Sequence, residues 1–245
     1  MKIITAVKLV YGALVKRKEY AKFVLAERLS ALIYRKYKFS EFGRLFLEDQ
    51  PFLLEYENLV GGNNYHSLDR KYALDQIVQL VTDIDGDTAE CGAFEGASSW
   101  FICRRISGLK KSHHIFDSFE GLSEPGTQDG TYWTRSDLTA QEDVARRNLR
   151  KFDFVIYYKG WIPERFTDVV EKKFCFVHLD VDLYRPTLDS LMFFYGRTSQ
   201  GGIILCDDYG FNTCPGAKNA MDEFFQDKPE RIVHLPTGQA FIIKR

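Results

Sequence analysis

Four aspartates close two apolar runs: Asp180 and Asp182 in FVHLDVDLY, Asp207 and Asp208 in GGIILCDDYG. The runs Phe174–Leu179 and Ile203–Cys206 read as buried strands. Carboxylates fixed at the ends of neighbouring strands make a negatively charged pocket. Such a pocket is costly unless a cation, protons or a basic partner neutralises it. A hard divalent metal is the chemistry this suggests. Asp207-Asp208 before Tyr-Gly would alone read as a turn or helix cap; convergence with Asp180 and Asp182 gives it weight. On an extended chain Asp182 points the same way as Asp180 but lies further out. His178, two residues before Asp180, reads foremost as a hydrogen-bonded core histidine.

A second constellation precedes it. The turn AECGAFEGASSW carries Glu90, Gly92 and Gly96, with Ser98 opening a helix. Glycines there allow a close ligand approach, and the helix start offers unpaired N–H donors. The turn alone is a weak signal, and it is not the Gly-x-Gly-x-x-Gly fingerprint. The next strand ends IFDSFEG, so Asp117 stands where nucleotide-binding α/β folds take the ribose hydroxyls. Glu90, Gly92 and Asp117 together describe an adenosine-type pocket, with Ser118, Gly160 and Trp161 as further candidate cofactor residues; Trp161 reads as packing at the cofactor's edge. No phosphate-cradling Gly-x-x-x-x-Gly-Lys-Ser/Thr is present.

The elements that must position these residues alternate. Helices are expected over 67–82, 97–107, 139–151, 163–171, 186–197 and 215–226, and strands over 88–94, 114–119, 154–158, 174–180 and 202–206. The chain closes with a hairpin, 231–235 and 239–243, around Pro236-Thr237-Gly238. That alternation predicts an α/β fold, a doubly wound, mostly parallel sheet covered on both faces. Residues 1–60 read as a helical N-terminal extension and 61–245 as the main domain, with Gly61-Gly62-Asn63-Asn64 as the boundary. The loop around 125–131, followed by Tyr132 and Trp133, reads equally as a binding lid and as a surface insertion.

Bulk properties bound the rest. The 245 residues carry a net charge of −1, and five cysteines are scattered with no Cys-x-x-Cys pair. This is a reduced, cytoplasmic pattern, and no nucleic-acid partner is expected. No apolar stretch reaches the ~20 residues of a membrane span. Residues 1–44 hold 11 Lys and Arg against 3 Glu. There Ile3, Val7, Val10 and Leu14 recur at helical spacing. A helix packed on the body or on a partner subunit is the favoured reading, with peripheral contact to an anionic membrane as the alternative; a homo-oligomer is expected.

The strings AECGAFEGAS, FDSFEGL, KGWIPERF, FVHLDVDLYRPTLDSL and GGIILCDDYG…CPGAKNAMDEFF resemble the macrocin O-methyltransferase (TylF-type) family. The resemblance runs from about Tyr65 to Phe225. It implies a class I methyltransferase fold, Rossmann-like and seven-stranded, with S-adenosylmethionine at the first glycine turn. It also implies a magnesium-like ion on Asp180, Asp207 and Asp208, and methyl transfer to a sugar hydroxyl of a saccharide or glycosylated small molecule. Asp180 is then both ligand and first choice as base, with Asp182 next. Two other classes stand beside this reading: a metal-dependent glycosyltransferase using Asp-x-Asp, and a non-catalytic binding protein that kept the fold.

Overall fold

A computed structural model describes residues 3–33, 45–60 and 66–245. The chain divides into two compact units, Met1–Glu55 and Tyr56–Arg245. The expected boundary cluster at 61–64 lies outside the described residues. In the first unit, α1 (Ile3–Leu14) and α2 (Glu19–Ile33) pack together. Gly12 allows this, since a β-carbon there would sit 3.1 Å from that of Ala21. Val7, Val10 and Leu14 remain exposed. In sequence, α3 (Gln50–Leu59) crosses the division.

The second unit is built on one seven-stranded sheet. Its strands are β1 (Asp87–Cys91), β2 (His113–Asp117), β3 (Val155–Lys159), β4 (Phe174–Leu179), β5 (Thr198–Cys206), β6 (Val233–His234) and β7 (Ala240–Ile243). The order is β3-β2-β1-β4-β5-β7-β6, and only the closing hairpin runs antiparallel. Helices α4 (Leu68–Gln79), α5 (Ala97–Ile106), α6 (Glu142–Asn148), α7 (Tyr184–Phe194) and α8 (Pro215–Phe225) complete the unit. β4 is buried along its whole length, as a central parallel strand requires. Its Phe174 joins Phe116, Phe166 and Phe194 in edge-to-face contacts that fill the core.

The chain winds one way from β1 through β3, then crosses back to β4. The resulting switch point lies between β1 and β4, where open α/β sheets hold their ligands. Cys91 is level with Leu179, and Leu179 with Cys206. Gly92, Asp180 and Asp207 therefore leave the sheet side by side. One expected helix is corrected: residues 163–171 form only a 3₁₀ turn, Phe166–Val169. Their backbone bonds run three residues back (Glu164 to Trp161, Phe166 to Pro163), and the turn buries only Phe166 and Val169.

Candidate active site

A cavity of about 950 Å³ opens at the switch point, with Gly92, Asp117, Ser118, Gly160, Trp161, Asp180, Asp182 and Asp208 in its wall. Asp207 lies just beneath, fully buried. The four aspartates divide into two clusters. Asp180 and Asp207 each come within about 4 Å of His66, while Asp182 and Asp208 group with Cys214.

The extended-chain reading of Asp182 is corrected. Its φ is +58°, so the backbone turns back instead of running outward. Its N–H donates to Asp208 Oδ2 at 3.0 Å, and its Oδ1 accepts from Cys214 Sγ at 3.3 Å. A left-handed aspartate at a cavity wall is the kind of strain that functional sites retain.

The electrostatics are uneven. Burial, with Asp207 and Asp208 nearby, pushes Asp180 up to about 8. Burial and Asp180 push Asp182 up to about 7, and burial with Asp182 drives Asp208 well above the carboxylate range. Asp207 goes the other way: despite burial, Arg70, Lys71 and His178 hold it well below that range. One carboxylate is thus held ionised by the protein, and the other three hold their protons more tightly than a free carboxylate.

His178 is the core histidine expected. Its Nδ1 lies 2.8 Å from Glu90 Oε1 and its Nε2 3.3 Å from Asp207 Oδ1. Glu90 is fully buried; the His178 hydrogen bond and the nearby His113, with Nε2 3.6 Å from Glu90 Oε2, outweigh desolvation and set it at about 2. Its other oxygen receives the Ser99 hydroxyl. Glu90 therefore props the acidic cluster through His178 from a position beneath the cavity wall. Gly96 and Ser98 also stand behind that wall. Gly96 starts α5 at φ +85° against Leu149, and Ser98 accepts from the buried Lys71. Gly92 (φ +81°) is glycine because a β-carbon would collide with the Asp180 carbonyl. Its role is to let β1 and β4 close up. Asp117 ties the turn together, accepting from the N–H groups of Ala93, Phe94 and Phe119 at 2.7–3.0 Å. Ser118 accepts from Glu120 N–H.

A family model for macrocin O-methyltransferase (TylF) matches residues 12–234. The chain belongs to this family. It is accordingly an S-adenosylmethionine-dependent O-methyltransferase. Among relatives, the demethyldecarbamoylnovobiocin O-methyltransferase of Streptomyces niveus is 29% identical over 185 residues, 66% of this chain and 68% of the relative. The 8-demethyl-8-(2,3-dimethoxy-alpha-L-rhamnosyl)-tetracenomycin-C 4'-O-methyltransferase of Streptomyces olivaceus is 28% identical over 56% of this chain and 58% of its own length. The chain thus spans under two thirds of the latter. In fold it resembles the O-methyltransferase NovP (TM-score 0.61, 24% identity, 74% of this chain and 83% of that one). It also resembles the calicheamicin methyltransferase CalS11 (TM-score 0.64, 17% identity, 89% and 90%).

In this TylF-family chain several site residues escaped sequence reasoning: His66, Arg70, Lys71, Phe211, Cys214 and Gln239. Arg70 donates to Asp207 Oδ2 and stacks 4.5 Å from the Phe211 ring centre. Gln239 Nε2 donates to Asp207 Oδ1 at 2.6 Å, and Trp133 Nε1 to Cys214 Sγ at 3.3 Å. A signal for two of them was present. Arg70 and Lys71 lie four and three residues before Leu74, on the face the apolar pattern assigns to the interior. Charges there must meet buried partners.

The residues fit both groups the family implies. The cavity has the volume of a small-molecule site, and apolar residues such as Phe116, Ile162 and Val181 line it beside the aspartates. Converging carboxylates are the donor chemistry of a hard divalent cation; burial first, and neighbouring carboxylates second, disfavour the charged form of three of them.

Proposed function

We propose that this enzyme methylates a hydroxyl of a sugar or glycosylated small molecule with the help of a divalent cation, Mg²⁺ or a similar ion. The observation that carries the cation is the convergence of carboxylates from adjoining strand ends: Asp180, Asp182 and Asp208 line the cavity, and Asp207 lies beside Asp180 and His66. The acceptor class follows the relatives, one of which acts on a rhamnosyl group. Residues 61–245 are assigned to the catalytic domain and 1–60 to a helical extension.

S-adenosylmethionine supplies the methyl group, and the cation, when bound, supplies Lewis acidity to an acceptor oxygen. Asp180, Asp207 and Asp208 would hold the cation. Methyl transfer is an in-line displacement, so the chain's main task is alignment and exclusion of water. Phe116, Trp161 and Ile162 form an apolar wall that keeps water out, with Asp117 and Ser118 as polar groups for the cofactor. Trp133 walls the cavity beside Cys214 and Asp182.

The acceptor proton passes to a carboxylate. The sequence put Asp180 first for this. The geometry favours Asp182, because Asp180 groups with His66 and Asp207, whereas Asp182 sits on the Trp133 and Cys214 side. Family membership favours methyl transfer over the glycosyltransferase reading.

The test is methyl transfer from radiolabelled S-adenosylmethionine to a panel of rhamnosides, with and without chelator. Loss of turnover in chelator, restored by Mg²⁺, is expected. Asp182→Asn should cut kcat by about 10²-fold or more while leaving the affinity for S-adenosylhomocysteine unchanged. Full turnover in chelator would remove the cation from the mechanism.

A further inference from the structure

Arg70 stands in an unfavourable place for its helix. Ser67 caps α4 through the Arg70 N–H, so the guanidinium belongs to the first helical turn. The helix dipole there disfavours a cation. The residue is buried and reaches the cavity wall, where the aspartates repay that cost. Its Nη2 donates to Asp207 Oδ2, lies 3.3 Å from the Asp207 carbonyl and 3.7 Å from Asp208 Oδ1.

The other oxygen of Asp207 is already engaged. Oδ1 receives Gln239 Nε2 at 2.6 Å and faces His178 Nε2 at 3.3 Å. Oδ2 is thus the oxygen of Asp207 left for the guanidinium, and it lies 3.9 Å from His66 Nδ1, which is 4.0 Å from Asp180 Oδ2. A divalent cation ligated by Asp207 would meet that positive charge at close range, where repulsion is strong. In the same pose the guanidinium stacks on Phe211, with Cζ 4.5 Å from the ring centre, so that face is a partner Arg70 can keep when its contact with Asp207 is given up.

We propose that Arg70 is an exchangeable counter-cation of the carboxylate cluster. It balances Asp207 when no ion is present, withdraws along the Phe211 face when a divalent cation binds, and sets the affinity of the site by competing with that cation. Arginine stays charged throughout the working pH range, so the exchange responds to cation concentration. Arg70 is a positioning residue in this scheme. The inference rests on the cation reading above, and the experiment separates the two.

Mn²⁺ binding to the whole chain is measured by calorimetry and by electron paramagnetic resonance for wild type, Arg70→Met and Arg70→Lys. Arg70→Met should bind Mn²⁺ about tenfold or more tightly, because the competing charge is gone. Arg70→Lys should stay near wild type, because a cation remains. A purely structural Arg70 would give the opposite sign, since its loss would loosen Asp207 and weaken binding. Unchanged or weaker Mn²⁺ affinity in Arg70→Met overturns the proposal and leaves the cation reading standing. Failure of all three proteins to bind Mn²⁺ overturns both. Should Arg70→Met fail to fold, the wild type decides: the Arg70 side-chain ¹⁵Nε resonance, assigned by its absence from Arg70→Lys, should shift on adding Mg²⁺. A resonance unmoved at saturating Mg²⁺ overturns the exchange.

Discussion

The carboxylate of Asp129 fills the space over Gly216 where a side chain would begin. Its Oδ1 accepts from Tyr184 N–H at 2.6 Å and its Oδ2 from Gly126 N–H at 2.7 Å. One buried carboxylate thus joins the 125–131 loop to the starts of α7 and α8. The loop is docked, which decides against a loose surface insertion, and it carries Trp133 to the cavity wall.

Replacing Gly216 by Ala in an ordinary helix would stabilise it by up to ~1 kcal/mol. Here the methyl group would expel Asp129 and leave two N–H groups without their acceptor. We expect Gly216→Ala to destabilise the protein by about 1–3 kcal/mol. Proteolysis within 123–137 should quicken, and acrylamide should quench Trp133 more strongly. An unchanged melting temperature with unchanged quenching would mean that Asp129 does not pin the loop.

Gly92→Ala tests the seam between β1 and β4. The added methyl collides with the Asp180 carbonyl from a left-handed backbone, so nothing flexible can yield. Calorimetric titration with S-adenosylhomocysteine should show binding weakened by about tenfold or more, with stability lowered by about 1–3 kcal/mol. Near-normal binding would place the cofactor away from this turn.

Glu90 sets an acid limit. Its folded-state value of about 2 lies below the ordinary 4.5, so its contribution is present above about 4.5 and is lost as pH falls toward 2. That contribution is on the order of 3 kcal/mol. Asp87, held at about 2 by His114 and Ser112 against desolvation, acts in the same window. Urea midpoints measured between pH 6 and 2.5 should fall most steeply below pH 4.5. In Glu90→Gln the slope should be shallower and the starting stability lower. An equally steep decline in that variant would assign acid sensitivity elsewhere.

All five cysteines are buried, and burial raises each thiol above its ordinary range. Thiolate is the reactive form. A disulfide reagent such as DTNB should therefore react negligibly with the native protein and titrate all five thiols in denaturant. Fast reaction of one thiol in the native state would mark local opening, first of all at Cys214 beside the docked loop.

Much of the frame was legible from the chain alone. The strand–helix alternation gave the parallel sheet, and the apolar runs before Asp180 and Asp207 put those aspartates at adjoining strand ends. What escaped notice depended on contacts between distant residues. Asp182 was misdirected because nothing in DVDLY announces a left-handed residue. Arg70 and Lys71 are turned inward by their spacing from Leu74, but their partners lie far away in the sequence. For Glu90, position at a strand end is readable in the sequence, while its burial against His178 and Ser99 is not.

The partners of Asp207 also say something about how the enzyme comes to be active. Arg70 is 137 residues from Asp207, and Gln239 is 169 from Arg70. Contacts that distant form only after the intervening chain has been organised, and non-local pairing is the slow part of folding. Helical signal should thus return early when the denatured enzyme is diluted into buffer, with catalytic competence following later. The acidic cluster would be the last portion of the molecule to mature.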